Sequence, residues 1–267
     1  AMDGRIPMGF IDLDLNRLFR YNNYEGWYAG LGLVTSKRLS TWFSVNGFWG
    51  YGFRDKTAKY GGGLELMLNR RHEVALAYQY TADISENGHV VLPFGNRSLV
   101  DETFFREILT NRFDAFTRHE VSLKYRALRH FLFQFKGISE RNQPMFDYQF
   151  SPVPQSGRPL FQFSELRLGV RFAFRERFLR TVRNKISMGS DYPVALLSIT
   201  RGFDKVLSGE FSYNKVDLKV TASTYFRFLG RSSVVLLAGI ADGEVPLGRL
   251  YNAPAAYTNF SVQSPES

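Results

Sequence analysis

Cysteine is absent from the chain. That excludes disulfide scaffolds and thiolate metal centres, and it suits a protein that crosses an oxidising periplasm without bridges. Long hydrophobic runs are absent as well. The longest, residues 234–241, falls far short of the ~20 residues a spanning helix requires, so membrane insertion as a helix is excluded. Histidine is scarce: His72, His89, His119 and His130 are the full set, and none stands at metal-ligand spacing from another. There is no Gly-x-Ser-x-Gly elbow and no phosphate loop. Gly61-Gly62-Gly63 lacks the Lys-Ser/Thr that would follow in a phosphate loop, and reads as close strand packing or a kink. A barrel lipase would need only a serine, either Ser122 or Ser139, meeting a histidine across strands; this reading is set below a non-enzymatic one. No catalytic residue, no metal ligand and no cofactor is therefore expected. No composition break divides the 267 residues, so a single domain, 1–267, is expected. Ala1-Met2 reads as a trimmed start and the chain as mature sequence or a fragment.

What the chain does contain is alternation. Across residues 164–175, Leu166, Leu168, Val170, Phe172 and Phe174 fall on one face and Glu165, Arg167, Arg171 and Arg175 on the other. That is strand periodicity, and the same pattern recurs along the chain. A sheet that is apolar on one side and fully charged on the other points to an all-β, transmembrane antiparallel β-barrel with lipid outside and water inside. The mean hydropathy of −0.22 does not argue against this, because the two faces cancel in any window. Aromatics make up 16%; Trp27, Trp42, Trp49, Tyr51, Tyr78, Tyr80 and Tyr125 are read as interfacial belts.

The expected lumen-facing set is Arg118, Glu120, Lys124, Arg126, Glu165, Arg167, Arg171, Arg175, Asp217 and Lys219. These residues would either guide an anionic substrate or, with the acids neutralising part of the charge, form a solvated wall. The net charge of +9 calls for an anionic neighbour. The basic residues recur at alternate strand positions rather than in one patch, so the expected partner is outer-membrane lipid and lipopolysaccharide, not nucleic acid.

Eleven strands are expected, in residues 4–12, 27–34, 41–53, 60–69, 74–81, 118–126, 131–136, 164–175, 185–199, 215–228 and 232–240. Pro193 marks a bulge or a strand end within the ninth, because proline donates nothing to the ladder. Residues 16–26 read as a connection, residues 200–203 (Thr-Arg-Gly-Phe) as a turn, and the chain beyond Gly243 as loop. Long connections are expected at 84–116, with a short helix near 101–109, and at 139–159. The other connections are mostly short, as an up-and-down barrel with long outer loops requires. An odd, unclosed strand count would leave bare edges in lipid, so further strands are expected beyond this chain.

Three runs carry a family resemblance: Y-N-N-Y-E-G-W-Y-A-G-L-G-L at 21–33, Y-G-F-R-D-K-T-A-K-Y-G-G-G at 51–63, and G-x-V-P-L-x-x-L-Y-N-A-P at 243–254. They resemble the barrel of the DUF5686 family, outer-membrane proteins of Bacteroidetes that often carry a carboxypeptidase-regulatory-like domain ahead of the barrel. That barrel is in turn distantly similar to the Omp85 superfamily, whose sixteen-stranded members insert or export other proteins. The resemblance implies a bacterial outer-membrane location and about eleven strands here of about sixteen. It also places the sixth outer loop, with its Arg-Gly-aromatic motif, beyond residue 267. Its functional implication is assembly or export of other envelope proteins; the alternative is a pore or scaffold whose long loops bind an envelope partner or ligand.

Overall fold

A single antiparallel sheet of thirteen strands dominates the computed structural model, which describes residues 4–36, 38–88, 93–94, 112–146, 160–180, 185–187, 190, 192–227, 230–243 and 245–250. Its strands are β1 (Arg5–Pro7), β2 (Ile11–Asp14), β3 (Phe19–Asn22), β4 (Gly26–Thr35), β5 (Phe43–Gly52), β6 (Ala58–Asn69), β7 (Val74–Glu86), β8 (Phe113–Ala127), β9 (Phe131–Pro144), β10 (Phe161–Ala173), β13 (Val194–Gly202), β14 (Tyr213–Phe226) and β15 (Gly230–Asp242). A separate hairpin of β11 (Phe178–Arg180) and β12 (Lys185–Ser187) lies between β10 and β13 in the chain. From β4 onward each sheet strand pairs with the next in sequence, and no described strand joins β1 to β15. Two short 3₁₀ turns, η1 (Leu15–Arg17) and η2 (Leu247–Arg249), complete the described elements, which include no α-helix.

Burial is inverted relative to a water-soluble sheet. Glu165 is 2% exposed, whereas Leu166, the next residue, is 57% exposed. Lys59, Asp83, Asp114, Glu140, Lys215 and Asp217 are buried, while Trp27, Leu31, Trp49, Val121, Phe135 and Leu236 are exposed. Cross-strand partners share a face, so one row of the exposed side reads Leu123, Phe135, Leu168, Ile199, Val216, Ile240. The apolar face is thus continuous from β8 to β15. A small apolar cluster of Phe161, Phe163, Tyr213 and Val245, with Phe211 against it, sits on the buried side.

Several sequence expectations change. Residues 4–12 do not make one strand: Gly9, at φ +97°, lies between β1 and β2, which fold into a hairpin. The expected connection at 16–26 contains η1 and β3, and β3 pairs with β4. β7, β8 and β9 run past the expected loop boundaries, to Glu86, from Phe113 and to Pro144. Their extensions break the alternation: Phe116 stands on the charged face, and Ser139 and Arg141 stand on the apolar one. The possible helix near 101–109 lies outside the described residues. Pro193 does end a strand: 185–199 is divided between β12 and β13, so the connection after β10 is long rather than short. Thr200, Arg201 and Gly202 belong to β13 and pair with β10, so they are not a turn.

Glycines let the first strands carry bulk on the buried side. A Cβ on Gly50 would lie 2.1 Å from the Tyr28 hydroxyl, and one on Gly32 would lie 3.0 Å from the Asp14 Cβ and 3.1 Å from the Arg17 Cβ. Tyr28 and the η1 segment therefore lie flat on a lane without side chains. The same holds at Gly61, where a Cβ would meet the Phe48 ring at 2.5 Å. Gly50→Ala forces Tyr28 off the sheet and is expected to cost ~1–3 kcal/mol by overpacking, read as a lower urea midpoint. Gly47→Ala, whose nearest neighbour is the Gly61 carbonyl at 3.7 Å, should leave the midpoint unchanged; equal effects from both would discount the lane.

Candidate functional site

The chemistry of this chain is concentrated on the buried face, at the end of the sheet where β7 and β8, and β9 and β10, have their long connections. One group of charges is built by the first strands. The Arg20 guanidinium grips Glu25 through Nε and Nη2, both at 2.8 Å, and reaches Asp83 at 2.8 Å. Arg17, at the end of η1, bonds Asp83 at 3.0 Å. Glu25 also receives Lys59 at 2.8 Å and the Asn22 side-chain amide at 2.7 Å, and Lys59 pairs with Asp55. Asn22 caps the turn into β4 by accepting the backbone N–H groups of Tyr24 and Glu25. The guanidinium of Arg17 lies 3.8 Å over the Phe48 ring, and that of Arg20 lies 4.5 Å over Tyr28. β3, β6 and β7 are thus tied together by charge across the glycine lane.

A second group is completed by the chain after β15. Pro246 immediately precedes η2, with the Arg249 N–H donating to the Pro246 carbonyl at 2.9 Å, and this turn carries the chain onto the buried face. Val245 and Pro246 are buried, Val245 in the cluster with Phe161, Phe163 and Tyr213. Gly248 is required by close approach: a Cβ there would lie 3.0 Å from Asp114 Oδ2 and 3.1 Å from Asn87 Nδ2, which are themselves hydrogen-bonded at 2.8 Å. Arg249 then stands between two buried carboxylates, 3.2 Å from Glu140 on β9 and 2.9 Å from Glu165 on β10, with its guanidinium 4.2 Å over the Phe163 ring.

Each carboxylate has a second cation: Arg118 at 2.6 Å from Glu140, and Arg167 at 3.0 Å from Glu165. The Tyr213 hydroxyl also donates to Glu165, and Lys215 Nζ donates to the Arg249 carbonyl at 3.1 Å. Burial alone would lower the proton affinity of Arg249, but Glu140 and Glu165 outweigh it and raise the guanidinium above its ordinary pKa. Arg249 is a fixed cation.

The opposite end of the same face carries simpler pairs: Arg126 with Glu73 at 2.9 Å, Lys136 with Glu120 at 2.7 Å, and Arg171 with Glu176 at 2.6 Å. Of the expected lumen-facing residues, Arg118, Glu120, Lys124, Arg126, Glu165, Arg167, Arg171, Asp217 and Lys219 all lie on this face by register. Arg175 does not. β10 ends at Ala173, and Arg175 sits exposed in the following turn at φ +48°, within 3.4 Å of the Tyr192 hydroxyl. Glu25, Lys59, Asp83, Glu140 and Arg249 were outside the expected set. Glu140 carried little signal, because the face it shares with Lys136 and Asn142 also holds Ile138, while Ser139 and Arg141 on the other face are polar. Arg249 had none, because its partners lie on distant strands.

Nucleophilic geometry is sparse. Ser139 is the cross-strand partner of His119 on the exposed face, yet no hydrogen bond joins them among the described residues; His119 Nδ1 meets the Tyr78 hydroxyl at 2.9 Å. Ser122 faces the other way, opposite Lys136. Among the described residues no three His, Cys, Asp or Glu side chains converge as metal ligands.

Removing Arg249 leaves Glu140 and Glu165 each short of one cation. Arg249→Met is expected to cost ~1–3 kcal/mol, the usual result of losing hydrogen bonds to charged groups that each keep another partner, and to expose the returning segment to protease. Arg249→Lys, which keeps a cation between the two carboxylates, should recover part of the loss. Full protection of the segment in Arg249→Met would contradict this role.

The chain matches a family model described as "Family of unknown function (DUF5686) C-terminal domain" over residues 11–240. No curated protein and no solved structure matches it. The matched span starts at β2 and ends within β15, so it takes in both charge groups except for the returning segment that carries Arg249. The chain belongs to the DUF5686 family, as its C-terminal domain.

Proposed function

We propose that this chain forms the barrel wall of an integral bacterial outer-membrane protein that is not an enzyme. The observation that carries the reading is the inverted burial: ionised side chains are sequestered and paired while a continuous apolar face is exposed. In water such a face would cost ~25 cal/mol for each Å² left uncovered, and soluble monomers rarely keep one. Hydrocarbon removes that cost. β5 to β10 are 10 to 15 residues long, enough for the ~9–11 tilted residues a membrane strand needs. Exposed aromatics stand near both ends of the strands, Trp27 and Tyr60 at one and Trp42 and Tyr125 at the other, as interfacial belts require. The neighbours of such a face are lipid and lipopolysaccharide.

Within that reading, assembly or export of other envelope proteins is favoured by the first edge of the sheet. β4 is bordered not by one long strand but by two fragments, β2 over Ile11–Leu13 and β3 over Phe19–Asn22, with η1 between them. Elsewhere each pair of neighbouring long strands is joined over nine or more positions except β4 with β5. A short, interrupted border is a weak seam, and a weak seam is what a barrel that opens sideways toward a client needs. The pore reading is weaker, because the returning segment lies across the buried face and is fixed there by Arg249.

Two measurements test this. The protein should fractionate with outer membranes of its native host and resist carbonate extraction; recovery in the soluble fraction would overturn the location. Its depletion should lower many outer-membrane barrels and surface lipoproteins in a proteome comparison, whereas an unchanged proteome together with ion conduction in planar bilayers would favour the pore.

A further inference from the structure

The exposed face of β8 to β10 changes character along the strands. Toward the short turns it is apolar: Val121, Leu123 and Phe135, with Leu166 and Leu168 beside them. Two rows further toward the long connections it is polar, with Thr117, Arg141 and Gln162 in one cross-strand row. The row between them is His119, Ser139 and Ser164. At this boundary lies a groove of about 450 Å³, a volume within the usual range for small-molecule sites. Its floor is Val121, Gly137 and Leu166, and its wall is Phe203, Val206 and Leu207 from the β13–β14 connection. Gly137 keeps the floor deep: a Cβ there would meet only Leu166, at 3.9 Å.

The wall is held deliberately. The Phe203 and Glu210 N–H groups donate to the Ser164 and Gln162 carbonyls at 2.9 and 3.0 Å, which pins both legs of the loop to β10. Lys205, Leu207 and Ser208 all take left-handed φ values, of 64°, 46° and 66°, which L-residues adopt only under compulsion. Gly209 permits the close approach, since a Cβ there would lie 2.9 Å from the Ser164 Cβ. The result of this strain is that Val206 and Leu207, 48% and 73% exposed, stand at the mouth of an apolar groove.

Charge identifies the occupant. Arg141 is exposed in the polar row above the groove and forms no ion pair among the described residues. Arg201, the cross-strand partner of Leu166, is hydrogen-bonded to the neutral Asn214 and Ser212 side chains at 2.9 and 3.2 Å. Lys205 is exposed on the loop. The nearby acids are Asp204, exposed on the loop, and Glu210, whose carboxylate accepts the Gln162 N–H at 3.2 Å. Resting on the outer-membrane reading above, we propose that the groove binds one acyl chain of an anionic membrane lipid, with the ester region against His119, Ser139 and Ser164 and the phosphate on Arg141.

The test uses the protein reconstituted in phosphatidylcholine bilayers, with chain-spin-labelled phosphatidylglycerol or phosphatidylcholine as probe. Electron paramagnetic resonance reads the motionally restricted lipid. At this one site, read as the difference in restricted lipid between the unaltered chain and Gly137→Leu, phosphatidylglycerol should be preferred about five-fold, the factor that one basic side chain at a membrane surface supplies. Arg141→Gln should remove that preference, and Gly137→Leu should remove restricted lipid of both kinds from this site. Gly47→Leu, the same change on the exposed face of β5, should alter neither. Normal insertion with no preference, or a preference that survives both Arg141→Gln and Gly137→Leu, overturns the groove alone. Failure to insert, with no restricted lipid of either kind, overturns the membrane reading and the groove together.

Discussion

Buried charge has to be compensated, and that requirement organises this sheet more than apolar packing does. Glu165 has essentially no exposure and sits where water cannot solvate it. It is tolerated because Arg249, Arg167 and the Tyr213 hydroxyl converge on its two oxygens. Glu140 depends on Arg249 and Arg118 in the same way, and Glu25 on Arg20 and Lys59. Each carboxylate draws its partners from different elements, so the pairs fix which strand, and which residue of the returning segment, stands opposite. Their net contribution to stability is small, since desolvation offsets much of the attraction. What the charges supply is register and position.

The same requirement explains the rest of the architecture. With ions on one face, the apolar residues have only the other face to occupy, and strict alternation makes it continuous over neighbouring strands. The buried side then lacks the apolar contacts that normally hold loops in place. Here two devices replace them: side-chain-free lanes at Gly30, Gly32 and Gly50 that accept η1 and Tyr28, and a small cluster around Phe163 that seats Val245. Arg249 over Phe163 joins the apolar and ionic parts at one point.

Much of this was legible from residue order. Strands β4 to β8, β10, β14 and β15 follow from alternation, because large apolar residues at period two, set against charged, polar or glycine positions, leave no competing helical reading. The alternation fades where strands extend beyond the apolar belt: Phe116 stands on the charged face, and from Ser139 to Gln143 both faces are polar. Short elements such as β1, β2 and β3 carry too few residues for a period to show. The charged face was legible through Arg118, Glu165 and Arg167. Arg175 was misplaced because alternation cannot announce that a strand has ended at Ala173. Arg249 was illegible because its role depends on Glu140 and Glu165, which are far away in sequence and near only once β9 and β10 pair.

The central proposal is that consecutive residues of one strand face hydrocarbon and ions in turn. This chain contains no cysteine, so single cysteines at positions 164 to 172 can each carry a nitroxide in the reconstituted protein. Collisions with molecular oxygen, which concentrates in lipid, should peak at 166, 168, 170 and 172. Collisions with a water-soluble nickel chelate should be weak at those positions. A flat profile, or chelate collisions that peak at Leu166 and Leu168, would contradict the account.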